Sequence, residues 1–311
     1  GALMAALGTG YDPQNIAACF FHGFLYFVPI FVVALLTGAF WESLFAQLRR
    51  RPVDEGLLAF AWLFALVMPA TMPAYGVILG MSFGIVVGKG IYGGMGRYLV
   101  SPVVLGLVFV LFAFPDLFFA VGSWIPVPGY DEPTTLELAI EEGGVAALLA
   151  VDYHWWQLFI GNQPGPMGIT STLGCLLGAA FLIITGTVSW RIMLGSLLGM
   201  IAATLLFNQL GPQDNPMFQV PWYWHFVIAG WAFATVFVAT DPVAAAITNP
   251  GRWGFGIIVG MLTVIVRVTN PSLFQGGVFA ILLASIFSPL LDYVVAERNI
   301  RRRAQRVGTE L

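Results

Sequence analysis

The chain has 311 residues, of which 59% are hydrophobic and 9% charged; soluble domains carry roughly 25% charged residues, so an ordinary soluble fold is excluded. The net charge of −3 averages over two faces, and no basic tract is long enough to suggest nucleic acid. Cys19 and Cys175 each lie in an apolar run without metal-ligand spacing, and read as core- or lipid-facing thiols.

The chain opens GALMAALGTG, with neither a basic n-region nor a starting Met, so no signal peptide is visible and a leading segment is expected to be missing. A helix needs roughly 20 apolar residues to cross a bilayer. Nine runs approach or exceed that length, at about 17–46, 56–70, 74–90, 99–115, 169–188, 191–208, 223–239, 254–269 and 274–296. Pro29 predicts a tilt or break in the first. ALLAVDYHWWQLFIG, 147–161, carries Asp152 and His154 and reads as an interfacial helix. The predicted fold is therefore all-α and polytopic, about nine transmembrane helices in a single transmembrane domain over 1–311.

Alternating these spans puts Arg49, Arg50, Arg51, Lys89, Arg97, Arg191, Arg252, Arg298, Arg301, Arg302, Arg303 and Arg306 in loops or tails on one face. Cytoplasmic loops carry the Lys/Arg excess, so that face is cytoplasmic, with the N-terminus outside and the C-terminus inside. The opposite loops, 1–16, 71–73, 116–168, 209–222 and 270–273, contain neither Lys nor Arg. The extended periplasm-like loop at about 116–168 holds seven of the sixteen acids. LLAFAWLFALVMPATMPAYGVILGMSFGIVVGK and VIAGWAFATVFVATDPVAAAITNPGRWGFGIIVGMLTVIVR echo each other: short span, Pro-containing break, Gly-rich span. They enter the membrane in opposite directions, which reads as inverted repeats around a central site or as shared apolar composition.

Isolated charges in or near spans are the candidate chemistry, because they are expensive there. Glu42, in TGAFWESLF, reads as a headgroup-layer carboxylate paired with one of Arg49–Arg51, or as a cation or quinone contact. GKGIYGGMGRY, Lys89 to Tyr98, reads as a tight turn between helices, or as a backbone cradle for a flavin. In GYDEPTTLEL the acid Asp131 or Glu132 caps a helix, Pro133 fills its first turn, and a hydroxyl beside it could carry a phosphoester. Trp222, Tyr223, Trp224 and His225 fit an aromatic belt, as do Trp155 and Trp156. Asp241 falls where a span ends at a proline, and requires either the next helix N-terminus or a cation. Asp292 pairs with Arg298 or a neighbour, or handles a cation. Arg267 is the one basic residue off the basic face; it requires an acid such as Asp131, or a phosphate that fits its fork.

The segments GAFWESLFAQLRR, GKGIYGGMGR, STLGCLLGAAFLIITGTVSWRIMLG, NPMFQVPWYWH, ATDPVAAAITNPGRW, RVTNPSLFQGGVFAILLASIFSPLLDYVV and NIRRR resemble, in order and over almost the whole chain, the B subunit of the sodium-translocating NADH:quinone reductases, and more distantly the D subunit of the Rnf complex. The family's amino-terminal span has no counterpart in this sequence. The resemblance implies a translocase component of the bacterial inner membrane. It would work with other subunits of a multi-subunit oxidoreductase, in the lipid bilayer, with quinone and sodium ion. It also implies FMN bound covalently through phosphate to a threonine in a periplasmic Ser/Asp-Gly-Ala-Thr motif. That motif falls on DEPTTL, with Asp131 keeping the acid and Thr134 the esterified position; Glu132 and Pro133 replace Gly-Ala. A non-covalent riboflavin is implied at Gly93, Gly94, Arg97, Tyr98 and Ser101, the last two standing where the family has asparagines. Quinone contact is implied at Gly38, Ala39 and Glu42, and cation handling at Glu42, Asp241 and Asp292. Two other functions are open to such a sequence: an Rnf-type ferredoxin:NAD electron-transport subunit, and a non-redox channel or transporter, which the inverted repeat would suit.

Overall fold

A computed structural model of the chain describes residues 16–119, 123–126, 133–141, 143–212, 215–269 and 276–308. Among them every regular element is helical. Helix α1 (Ile16–Arg49) is followed by α2 (Leu57–Val67), and by α3 (Ala74–Phe83), which runs on into a π-helical turn at Gly84–Gly90. Helix α4 (Pro102–Ala113) closes this first group. Four short helices follow: α5 (Asp116–Phe119), α6 (Thr135–Glu141), α7 (Val145–Ala150) and α8 (Trp155–Ile160). The second group begins with α9 (Thr172–Ile184) and α10 (Trp190–Leu210), then the short α11 (Trp222–Val227) and α12 (Trp231–Phe233), the latter running into a second π-helical turn at Ala234–Val238. It ends with α13 (Asn249–Thr269) and α14 (Gly276–Gly308).

By length and composition α1, α10, α13 and α14 are long and apolar enough to cross a membrane, and α2, α3 with its π turn, α4 and α9 are shorter apolar helices. The chain is thus a multi-pass membrane protein. Helix α1 continues through Pro29, so of the tilt or break expected there the break does not occur. The expected single helix at 147–161 is two helices, α7 and α8, separated by a bend in which Asp152 has a left-handed φ of 64°.

The largest departure is the expected span 223–239. Ala229 and Gly230 take left-handed φ values of 52° and 63°, so α11 stops at Val227 and α12 starts afresh. Gly230 is seated against the Ile169 side chain, 2.6 Å from where its own Cβ would stand. Such a break strands backbone carbonyls, which away from water must find donors.

Two packed groups carry the site. Helix α1 lies against α2 and α3, and α3 lies against α4. In the second group α10, α13 and α14 pack side by side. Phe112 of α4 meets Phe279 of α14 edge-on, and the Tyr98 hydroxyl reaches Asp241, joining the two groups.

Candidate functional site

The first cluster lies where α1 meets the π turn. Glu42, Phe45 and Arg49 stand on one face of α1, and with Asp54, Ile85, Lys89, Gly93 and Gly94 they line an open cleft. Glu42 finds its partner in Lys89, not in Arg49–Arg51. The Lys89 ammonium donates to Glu42 Oε1 at 2.6 Å and stands 3.6 Å from Asp54 Oδ2 and 5.5 Å from the Phe60 ring centroid. Arg49 donates instead to the Gly90 carbonyl at 2.5 Å. Lys89 is 2% exposed and Glu42 5%, so the lysine that hydropathy assigns to a solvated loop is a core residue. The other Glu42 oxygen, Oε2, has no hydrogen-bond partner among the described residues. The π turn explains the placement: its wider backbone ring lets Gly84 and Gly88 lie against Pro102 while Lys89 turns inward. Asp54 is held in place by the Met95 N–H at 2.7 Å.

Of the expected flavin cradle, Gly93 and Gly94 reach this cleft and Arg97, Tyr98 and Ser101 do not line it. Tyr98 and Ser101 are buried. Burial and the neighbouring Asp241 carboxylate push the Tyr98 phenol above its ordinary pKa, so it stays a hydrogen-bond donor. Of the expected quinone residues Glu42 lines the cleft; Gly38, against the Leu57 and Met81 side chains, and Ala39 do not.

The second cluster surrounds Thr134. Asp131 and Glu132 lie outside the described residues, and the cap of α6 is Thr134 itself, with Pro133 ahead of the helix. The Thr134 N–H (2.7 Å) and hydroxyl (2.9 Å) both donate to Glu137 Oε2, while the Glu137 N–H approaches Thr134 Oγ at 3.4 Å. This is a reciprocal capping box, which a Thr-x-x-Glu spacing makes locally. The Thr135 hydroxyl donates to Gln163 Oε1 at 2.9 Å, and the Gln163 amide donates to the carbonyls of Thr170 and Val227. Thr134, Thr135, Gln163, Pro166, Ile169 and Gly230 line one groove, so the helix break at 229–230 forms part of its wall.

Arg267 sits behind that break. It is wholly buried and donates to the carbonyls of His225 (2.8 Å), Ile228 (3.0 Å) and Ala229 (3.1 Å). Both terminal nitrogens of the guanidinium are thus engaged by the stranded carbonyls at the end of α11, and Asp131, the acid expected as a partner, lies outside the described residues. A guanidinium fork at a helix C-terminus satisfies several acceptors and complements the end dipole.

Asp241 and Asp292 both hold backbone. Asp241 accepts from Tyr98 (3.0 Å) and from the Val243 N–H (2.9 Å) in the turn after the second π helix. Asp292 accepts from the N–H groups of Ile247 (2.7 Å) and Thr248 (2.9 Å) and from the Thr248 hydroxyl (2.5 Å), so it caps the entry to α13 from α14 instead of pairing with Arg298. Among the described residues no group of three or more acidic, His or Cys side chains could hold a metal ion together.

The protein-family model described as the NQR2, RnfD, RnfE family matches residues 3–301. The chain is similar to the B subunit of the Na(+)-translocating NADH-quinone reductase of Azotobacter vinelandii, at 43% identity over 98% of this chain and 75% of that protein. It is 45% identical to the protein of the same name from Chromohalobacter salexigens, over 98% of this chain and 74% of the relative. The Pseudomonas aeruginosa protein of that name is 43% identical over 99% of this chain and 76% of its own length.

Proposed function

Because the chain belongs to the NQR2, RnfD, RnfE family, we propose that it is the B-type membrane component of a redox-driven sodium pump, passing electrons from NADH toward quinone. The observation that carries this reading is the match over residues 3–301, together with relatives named as sodium-translocating reductase subunits at 43–45% identity. Those names favour the sodium pump over a ferredoxin-linked Rnf-type component or a non-redox channel. As one part of a multi-subunit enzyme, it lies in the bacterial inner membrane with its arginine-rich C-terminus in the cytoplasm. The positive-inside bias supports that orientation.

What supports a phosphate-linked flavin at the Thr134 groove is its pair of threonine hydroxyls beside the apolar side chains of Pro164, Pro166 and Ile169. Covalent FMN would supply one- and two-electron transfer there. Thr134 is the attachment point we favour over Thr135. Its hydroxyl is shared with a carboxylate that also holds its own N–H, so Glu137 keeps one bond when the hydroxyl proton is lost. The Thr135 hydroxyl is engaged by Gln163, which ties α6 to the loop before α9 and to α11. Asp131 is kept from the family motif as a neighbour of the attachment point. Riboflavin finds fewer residues in common: Gly93 and Gly94 are available at the Glu42 cleft, while the positions of Tyr98 and Ser101 are spent on packing and on Asp241.

For cation handling Glu42 is the best placed of the three acids. It is buried, it has an oxygen without a partner among the described residues, and it lines an open cleft, whereas Asp241 and Asp292 are occupied by backbone N–H groups. Quinone contact at Glu42 uses the same cleft.

The attachment is tested by in-gel flavin fluorescence after denaturation of the assembled complex. Fluorescence is expected in wild type and in Thr135→Val, and is expected to vanish in Thr134→Val. Fluorescence that persists in the Thr134 variant removes that residue as the acceptor.

A further inference from the structure

We propose that the ammonium of Lys89 is a tethered counter-ion at the cation position of Glu42, and that the transported alkali ion binds there by displacing it toward Asp54. This rests on the reading of Glu42 as a cation-handling group. Lys89 is the sole lysine of the chain, against twelve arginines. It is placed in a π-helical turn, and such turns cost regular hydrogen bonding and recur at functional sites. A lysine 2% exposed in an apolar bundle is expensive, and its burial requires a compensating charge beside it. Here the compensation comes from two carboxylates at unequal distance, Glu42 at 2.6 Å and Asp54 at 3.6 Å.

The two carboxylates differ in exposure. The Glu42 side chain is 4% exposed and that of Asp54 38%, at the mouth of the same cleft. The ammonium therefore has a second seat nearer water, already fixed by the Met95 N–H. When it moves there, Glu42 is left with two free oxygens in a buried position, and its Oε2 lacks a partner among the described residues even in the present arrangement. Hard alkali ions take oxygen ligands, so an incoming sodium ion restores the neutrality that the ammonium provided. Lysine suits this exchange better than arginine would: it is a compact point charge on a flexible stem, not a planar fork committed to a bidentate geometry. The exchange keeps the net charge of the buried site constant. With the exchange complete, neither ion is left uncompensated inside the bundle.

Sodium binding to the purified complex, measured by isotope retention and by the sodium-dependent rise of the unfolding temperature, tests the proposal without reading turnover. Lys89→Met removes the competing ammonium, and its half-saturating sodium concentration is expected to fall by about tenfold or more, since one buried unit charge is worth at least that factor. Lys89→Arg is expected to raise it, because the fork holds Glu42 more firmly. Asp54→Asn removes the second seat and is expected to raise it as well, which keeps the proposal exposed if Lys89→Met does not assemble. Wild-type half-saturation in a folded Lys89→Met complex, or loss of sodium binding from it, overturns the exchange. So does an unaltered Asp54→Asn. Sodium binding in Glu42→Gln equal to wild type strikes the cation reading of Glu42 itself, and the exchange falls with it.

Discussion

Arg267 shows how a single side chain supports a discontinuous helix. The stop at Val227 and the left-handed pair at 229–230 leave three carbonyls facing the bundle, and one guanidinium takes all three. Removing it strands those acceptors where water does not reach, and buried unsatisfied groups cost about 1–3 kcal/mol each in proteins. Arg267→Met is therefore expected to lower stability by about 3 kcal/mol, seen as a drop in the thermal midpoint of the detergent-solubilised chain. Arg267→Lys is expected to recover less than half of that loss, since an ammonium cannot span three carbonyls at fixed angles. A midpoint unchanged in Arg267→Met would contradict the role of these bonds. That Arg267 required a partner was legible in its isolation among apolar residues. Which partner it takes was not, because a carbonyl carries no side-chain signature and exists as an acceptor only once α11 breaks. Glu42 likewise announced itself as an isolated acid, but its partner 47 residues away was hidden by the local reading of Lys89 as a loop residue.

At the scale of elements, the closest contact in the second group is between α10 and α13, and it is made by glycine. Gly195 and Gly199 of GSLLG lie against the backbone of Trp253 to Ile257, and Gly256 and Gly260 of GIIVG lie against the backbone of Ile192 to Met200. Small residues four apart let helix backbones approach, which replaces the hydrophobic driving force that lipid does not supply. A Cβ on Gly260 would overlap the Ser196 carbonyl. Gly260→Leu must push the helices apart, and is expected to cost about 2–3 kcal/mol. Gly254, on the same helix, has only Leu291 side-chain atoms at 3.7–3.9 Å from a would-be Cβ. Gly254→Ala is expected to be neutral or to stabilise by up to about 1 kcal/mol through helix propensity. Thermal midpoints of the two variants, compared side by side, check the pair; equal effects would show that backbone approach is not what holds α10 on α13. The GSLLG and GIIVG spacings are visible in the sequence, but spacing alone does not say that these two helices are partners.

For the whole molecule the decisive quantity is orientation, on which the proposed flavin face depends. With Cys19 and Cys175 replaced by Ala, a membrane-impermeant maleimide applied to intact cells is expected to label a His154→Cys variant and to spare an Arg303→Cys variant. Both positions are exposed, so the reverse pattern would place the Thr134 groove on the wrong side. The fold class, the long helices and the charge bias that predicts this orientation were determined by the sequence by itself, because hydropathy and positive charge act additively over each run of twenty or so residues. The helix start after DEP was legible too, but with Asp131 or Glu132 as its cap, whereas Thr134 closes a capping box with Glu137 three residues on. Only the tertiary structure decided that the span predicted at 223–239 is broken, that Lys89 is buried against Glu42, and that Tyr98 holds Asp241 across 143 residues. The physical reason is the low dielectric of the bundle: a polar group there must pair or be excluded, and its partner is whatever donor or acceptor the packing of distant helices brings within reach.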